Sequence, residues 1–306
     1  MSIFDVVLLT ADNYLDSLQQ SPLAQNVRVE DGLVAEALSN EGLKIALKSW
    51  ADPLFDWTST KYILIRTPWD YFERTDEFLQ WFNATSKTTV FINSAALIRW
   101  NFDKNYLRGL EQKGIAIPKT YFISKGSKMT LKKALNLAEE AFERTCTSWV
   151  LKPCIAAGAF HTYRFTSSES ATLEEKFQQL IIEGDFMLQE FQENILTQGE
   201  ISLVLFGTTF SHAIVKKAKS GDFRVQDDYG GTVALHEASP KEIDFALRVV
   251  EACNELPVYA RVDVLEDNKG KLVLAELEIF EPELWFRFQP ESAQMLAKDI
   301  KNIYFA

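Results

Sequence analysis

The stretch Arg261–Pro282, RVDVLEDNKGKLVLAELEIFEP, sets charged residues inside two runs that otherwise read as buried strands. Tyr259–Leu265 and Lys271–Phe280 are predicted strands, with Asp267-Asn268-Lys269-Gly270 as the turn between them. Side chains alternate along a strand, so Arg261 and Asp263 share one face of the first, and Glu276 and Glu278 share one face of the second. A two-residue loop at Lys269-Gly270 sets Asp263 opposite Glu276 and Arg261 opposite Glu278. A loop with an odd number of residues would bring Ala275 and Leu277 there instead. Three clustered carboxylates repel one another unless a cation sits among them. Oxygen ligands of this kind suit Mg2+, which is commonly held by one or two carboxylates together with substrate phosphates. The pattern equally fits a solvated sheet face on which Arg261 pairs with an acid, and the hairpin alone leaves both readings open.

Around this hairpin, 306 residues with 47% hydrophobic content can bury a large core in two or three structural units. A net charge of −11 and a sequence pI of about 4.9 speak against a nucleic-acid partner. No run approaches the roughly 20 apolar residues that cross a bilayer, so no membrane partner is expected. The opening residues, MSIFDVVLLT, have neither a basic leader nor a small-residue cleavage site and read as a first strand. Cys146, Cys154 and Cys253 show no metal spacing and fit a reducing cytoplasm, the expected location. With only His161, His212 and His236 available, a histidine-rich metal site is excluded.

The first hundred residues alternate strand and helix signals. Apolar runs at Phe4–Leu9, Lys44–Leu47, Tyr62–Ile65 and Thr89–Ile92 are short enough for buried strands, with helical patterns at Leu33–Asn40 and Tyr71–Phe82 between them. The expected fold class is therefore α/β, beginning with an open, mostly parallel sheet. Further along, a helix is expected from about Phe102 to Lys113, strands at Thr120–Ile123, Trp149–Lys152 and Phe186–Glu190, and a hairpin of Ile201–Phe206 with Phe210–Val215. Ser239-Pro240-Lys241-Glu242 is a capping box that starts a helix, and a last helix begins near Pro290.

Several positions carry candidate chemistry, each beside a plainer reading. Lys152 ends an apolar strand and is followed by Ala156-Ala157-Gly158-Ala159, whose backbone could approach phosphate oxygens; it also fits a surface lysine before a turn. The basic, glycine-bearing run 216–231 suits a loop folding over an anionic substrate, or a solvated excursion. Cys154 reads as a thiol nucleophile or a buried structural cysteine. Ligands of open α/β sheets sit at the carboxyl ends of strands, which puts Asp12 after the first strand and Arg66, Trp69 and Asp70 after the third near a cleft. Arg66 could hold a carboxylate bidentately, and Trp69 could wall the pocket or pack against the following helix. Glu281 and Glu283 fit ammonium ligands or rim acids.

Taken together, Asp103-Lys104, Val150-Leu151-Lys152-Pro153, Leu188-Gln189-Glu190-Phe191, Gly199-Glu200, Gly221-Asp222-Phe223-Arg224 with Gly230-Gly231, Arg261-Val262-Asp263-Val264 and Glu276-Leu277-Glu278 resemble the ATP-grasp ligases. Order and spacing are most similar to the glutathione-synthetase branch. Arg66-Thr67-Pro68-Trp69-Asp70-Tyr71 and Arg99-Trp100-Asn101-Phe102-Asp103-Lys104 resemble its bacterial members that include the cycloserine-forming cyclising ligase. The resemblance implies an ATP-grasp fold in three parts: 1–100 ahead of the grasp, 101–188 as its central part, and 189–306 as the part with the metal site.

It also implies roles. Lys104 and Lys152 contact the ATP phosphates, with the backbone at Ala157 and Gly158 as the phosphate loop. Gln189, Glu190, Phe191 and Gln192 line the adenine, and Glu200 takes the ribose. Asp263, Glu276 and Glu278 hold Mg2+, with Mn2+ as a substitute; Arg261 steadies the transferred phosphoryl group, and Arg224 and Lys217 reach anionic substrate. The last metal position, often Asn in this superfamily, is Glu278 here. The implied activity joins a small carboxylic acid to an amine, or closes one molecule on itself, through an acyl phosphate. A small-molecule kinase and a nucleotide-binding module without turnover are the rival readings, and a homodimer is left open.

Overall fold

The computed structural model describes residues 2–15, 21–225 and 229–306. The first sheet is parallel throughout, with β1 (Phe4–Thr10), β2 (Ile45–Ser49), β3 (Thr60–Thr67) and β4 (Val90–Ile92) in the order β2-β1-β3-β4. The short α1 (Asp12–Leu15) and long α2 (Pro22–Asn40) follow β1, and α3 (Thr75–Thr85) follows β3. α2 starts well before the expected Leu33: Ser21 caps it, accepting from Ala24 N, and Pro22 opens it with its fixed φ. In place of the single helix expected over 102–113 stand α4 (Ala95–Asn101), capped by Ser94, and α5 (Tyr106–Gln112).

The second sheet is antiparallel. Its strands β5 (Thr120–Ile123), β6 (Ser148–Pro153), β7 (Tyr163–Thr166) and β8 (Phe186–Glu190) lie in the order β5-β8-β6-β7, packed by α6 (Leu131–Phe142) and α7 (Ser170–Glu183). The third sheet, also antiparallel, runs β11-β10-β9-β12-β13, from β9 (Glu200–Phe206), β10 (Thr209–Lys217), β11 (Thr232–His236), β12 (Tyr259–Glu266) and β13 (Leu272–Glu278). β7 and β11 have no counterpart in the sequence reading: β7 is only four residues long, with Phe165 as its one buried side chain, and β11 is largely exposed.

Alternate residues of β9 feed two different cores. Leu203 and Leu205 meet Phe245, Val249 and Val250 of α8 (Pro240–Glu251). Val204 and Phe206 meet Leu296 and Ile300 of α9 (Glu291–Tyr304), and this cluster continues into Val6, Leu8, Val34 and Leu38. The first and third sheets thus share one apolar core, while the second has a core around Trp149, Phe177 and Leu188 and also reaches the third sheet's other core through Met187 and Phe122.

β12 and β13 pair as expected, Arg261 opposite Glu278 and Asp263 opposite Glu276, but for a different reason. The connection between the strands, Asp267 to Lys271, has an odd number of residues, and next to it Val264 faces Leu274. Ala275 is the extra residue of a β-bulge, which restores the pairing beyond it. β13 is an edge strand whose outer rim is closed by side chains. Tyr106 Oη donates to Leu277 O (2.9 Å) and accepts from Leu277 N (2.8 Å). Asn101 Nδ2 donates to Leu277 O (2.8 Å), and its Oδ1 accepts from Ile279 N (2.9 Å) and Phe280 N (3.2 Å).

Asn101→Ala leaves two buried N–H groups without partners. The unfolding free energy should fall by about 2–4 kcal/mol, read as a lower urea midpoint at unchanged slope.

Candidate active site

A cleft of about 270 Å3 lies between the second and third sheets, with Trp69 and Leu23 from the first at one end. Of the positions picked out by sequence, it is lined by Lys104, Lys152, Ala157, Gly158, the segment 189–192, Glu200, Arg224, Arg261, Asp263, Glu276, Glu278, Glu281, Glu283 and Trp69.

Most of its charges are paired. Asp263, 2% exposed, accepts from Ser202 Oγ (2.6 Å) and from Arg261 Nε (3.0 Å) and Nη2 (2.8 Å), and lies 3.4 Å from Lys216 Nζ. Burial alone would raise this carboxyl; Arg261 and Lys216 reverse that and hold it at about 2. Lys216 also pairs with Glu200 at 2.7 Å, and Arg261 with Glu278. Glu276 pairs with Lys104 at 2.9 Å, and Lys104 Nζ also donates to Ala156 O. Lys152 is the exception. Among the described residues its ammonium has no ion pair or hydrogen bond, and burial pulls its pKa down, only partly offset by the charge of Glu276.

Among the described residues, no three metal-ligating side chains are gathered around a common point. The donor chemistry nevertheless fits a hard divalent cation. Glu276 and Glu278 keep 30% and 21% of their side chains exposed toward the cleft, and their present partners are cations that a metal ion could replace. Asp263, with 3%, is far more enclosed.

The 189–192 segment is braced by the β12–β13 turn. Gln189 Nε2 donates to Thr120 Oγ1, Gln192 Nε2 to Glu190 O, and Asn268 Nδ2 to Phe191 O; Gln192 Oε1 accepts from Asn268 N. Glu190 pairs with Arg144, and the Arg164 guanidinium lies 3.7 Å from the Phe191 ring centre. Across the cleft, Tyr229 Oη donates to Gly158 O (3.0 Å), joining the basic loop to the small-residue loop. Arg224 pairs with Asp222 and stacks on Tyr229; residues 226–228 of this loop lie outside the described ones. Gly158 and Ala159 both have left-handed backbones, at φ +57° and +58°, a conformation that costs an L-residue about 1–2 kcal/mol. Gly199 is required by contact, since a Cβ there would stand 2.4 Å from Lys216 O.

Four expected site residues lie elsewhere. Arg66 is 0% exposed and spent on Asp31 (3.3 Å) and the Phe286 ring, so it cannot offer a fork to a carboxylate in the cleft. Asp70 accepts from Trp50 Nε1 (2.7 Å) and Arg74 (3.1 Å), which ties α3 to the loop after β2. Asp12 is an exposed residue at the start of α1. Lys217 is exposed, because strand alternation turns Lys216 inward in its place; Lys216 is the charged cleft residue that the sequence reading missed, and a two-residue periodicity through β10 would have found it. Trp69 does wall the cleft, its Nε1 donating to Glu281 O (3.0 Å). Burial pushes Glu281 up to about 7, while its carboxyl accepts from Tyr71 Oη (3.0 Å). Glu283 pairs with Arg287. Cys154 is buried and its thiol is pushed up to about 12 by that burial, which suits a structural residue.

Residues 6–93 match the family model of the D-cycloserine synthetase DcsG N-terminal domain. The cycloserine biosynthesis protein DcsG of Streptomyces lavendulae is 28% identical over 284 residues, spanning 87% of this chain and 92% of that protein. The crystal structure of D-cycloserine synthetase DcsG superposes with a TM-score of 0.85 at 24% identity, covering 97% of this chain and 98% of that one. A RimK domain ATP-grasp protein from Sphaerobacter thermophilus follows at 0.65 and 18%, covering 96% and 98%.

Asp263→Asn should cost about 3 kcal/mol of stability, because it leaves Arg261 and Lys216 buried without their counter-charge. Glu276→Gln, at a partly exposed pair, should cost less than about 1 kcal/mol. Chemical denaturation of the two variants side by side checks the order.

Proposed function

We propose that this chain, an ATP-grasp ligase by its fold and by similarity along its length, activates a small carboxylic acid with Mg-ATP and passes the acyl group to an amine. The observation that carries this reading is Lys152, a cation in a cleft of paired charges that has no anion of its own among the described residues. A strand-end lysine held this way is a fixed point charge for a phosphate. Lys104, one ion pair away on Glu276, is its neighbour in that task, and the left-handed backbone at Gly158 and Ala159 lines the same cleft. The braced 189–192 segment takes the adenine and Glu200 the ribose.

In the proposed reaction a substrate carboxylate oxygen attacks the γ-phosphorus of ATP, and the bond to the bridging oxygen breaks to release ADP. The amine then attacks the acyl carbon, loses a proton, and expels inorganic phosphate. Asp263, Glu276 and Glu278 are assigned to Mg2+, which when bound offsets phosphate charge. Arg261, fixed by Asp263 and Glu278, faces the transferring group, so its stabilisation is preorganised. Arg224 closes over the anionic substrate from the loop bridged to Gly158. No protein nucleophile is needed, in keeping with a buried Cys154.

Mg-ATP at a hundredfold excess over its Kd should stabilise the fold by about 2.7 kcal/mol, GTP by less. Lys152→Met should keep or raise the stability of the free protein, since it removes a half-buried charge that has no partner among the described residues, yet abolish the ATP shift. A full shift in this variant would overturn the assignment. With Mg-ATP, the acid and hydroxylamine in place of the amine, a hydroxamate and one ADP per turnover are expected, and Glu276→Gln should suppress both. A phosphorylated product indifferent to hydroxylamine would mean a kinase, and AMP with pyrophosphate would exclude both chemistries.

A further inference from the structure

Lys152 has a counterpart among the acids of the cleft. Most of them pair with a cation: Glu190 with Arg144, Glu200 and Asp263 with Lys216, Glu276 with Lys104, Glu278 with Arg261 and Glu283 with Arg287. Glu281 does not. Among the described residues it has no ion pair, and the side-chain group that reaches its carboxyl is the neutral Tyr71 hydroxyl, donating to Oε1 at 3.0 Å. Oε2 accepts no hydrogen bond there, yet it is not sealed in the protein: the buried side-chain N and O atoms without a partner belong to Arg66, Trp81, Arg144 and Trp285. Glu281 lines the cleft, so its unengaged oxygen opens on whatever enters.

The carboxyl is also well fixed. Trp69 Nε1 donates to Glu281 O (3.0 Å), Pro282 restrains the next φ, and the buried Tyr71 ring meets Phe280 edge-on at 4.9 Å, which holds the hydroxyl in place. The charged groups around it are Lys104, Arg261, Glu276 and Glu278. Burial outweighs the two cations and raises the carboxyl to about 7, so it gains and gives up a proton near neutral pH. Among the described residues no histidine, cysteine or tyrosine lines the cleft.

In the proposed ligation the attacking amine loses a proton, and that proton needs an acceptor. We infer that Glu281 Oε2 is the general base of the second half-reaction, taking the proton as the amine nitrogen bonds to the acyl carbon. The bond from the acyl carbon to the phosphate oxygen then breaks, its electron pair leaves with the phosphate, and Glu281 returns the proton to that phosphate. The amine accordingly enters beside Trp69, at the end of the cleft contributed by the first sheet. The inference rests on the ligase reading for the identity of the cleft and adds to it the group that takes the proton.

The test separates the two half-reactions in the full chain. Mg-AMPPNP is added to the wild type, Glu281→Gln and Glu281→Ala, and a retained thermal shift shows a folded chain with nucleotide bound. Mg-ATP labelled with 18O at the β,γ-bridge is then supplied with the L- and D-amino acids and with simple aliphatic and dicarboxylic acids, one at a time. Movement of label into the non-bridging β position reports acyl-phosphate formation. Acids that move label are next offered ammonia and the amino acids as amines, and amide is measured. Glu281→Gln should form amide about 10²–10⁴-fold more slowly than wild type, while its label movement falls by less than about tenfold. In Glu281→Ala, added formate should restore amide formation by about tenfold or more, since a small carboxylate replaces the missing base. A residue that only shapes the cleft gives no such rescue. Equal loss of both steps, amide formation at the wild-type rate in Glu281→Gln, no rescue by formate, or loss of the AMPPNP shift in both variants overturns the inference, while wild-type label movement and amide formation still support the ligase reading. A wild-type chain that moves label with none of these acids, or makes no amide from any amine, removes the ligase reading and this one with it.

Discussion

Everything in the cleft depends on how an edge strand is held. β13 has a neighbour on one side only, and the rim it would otherwise offer to solvent is taken by Asn101 and Tyr106, which between them engage both polar groups of Leu277 and the N–H groups of Ile279 and Phe280. Leu277 lies between Glu276 and Glu278, so fixing its backbone fixes the direction of both carboxylates. An edge strand held only on its inner side could slip, and a slip of one residue would turn both acids out of the cleft. The residues preventing this come from α4 and α5, far away in sequence, which is why the helical link between the first two sheets belongs to the chemistry.

The second constraint is electrostatic. Without a ligand, the carboxylates of the cleft are neutralised by Lys104, Lys216 and Arg261, and each of these cations is fixed by more than one contact. Lys152 stands out because, among the described residues, its ammonium has none. A half-buried positive charge beside a paired network is unfavourable for the free protein and favourable for a complex with an anion, so the cleft is suited to an anionic occupant.

Much of this was readable from the chain. The parallel start, the central strands and the acidic hairpin all announce themselves through runs of apolar residues and their alternation. The hairpin shows how far such reading reaches: the facing of Asp263 and Glu276 was anticipated from an even loop, whereas an odd loop and a bulge at Ala275 produce it together. A bulge leaves almost no mark in composition, so the sequence supports the pairing and conceals its cause. Arg66 and Asp70 looked like ligands because residues at strand ends often are; their partners Asp31, Trp50 and Arg74 come from other elements, and only the packed chain shows that these charges are already used. β7 offers only the short alternation of Tyr163 and Phe165, and β11 is largely exposed, so neither gives a run long enough to read.

The core common to the first and third sheets has an evolutionary consequence. Val6, Leu8, Val34 and Leu38 pack in one cluster with Val204, Phe206, Leu296 and Ile300, so neither part presents a finished surface if the other is exchanged. Recombination that grafted a foreign first sheet onto this chain would have to match that cluster side chain by side chain. The second sheet has a core of its own around Trp149 and Leu188, but Met187 and Phe122 also enter the core that Leu203, Leu205 and Val262 form, so it too is matched to its neighbour. New side-chain chemistry along the cleft wall therefore arises most readily by point substitution, since exchange of any one sheet breaks a core shared with another.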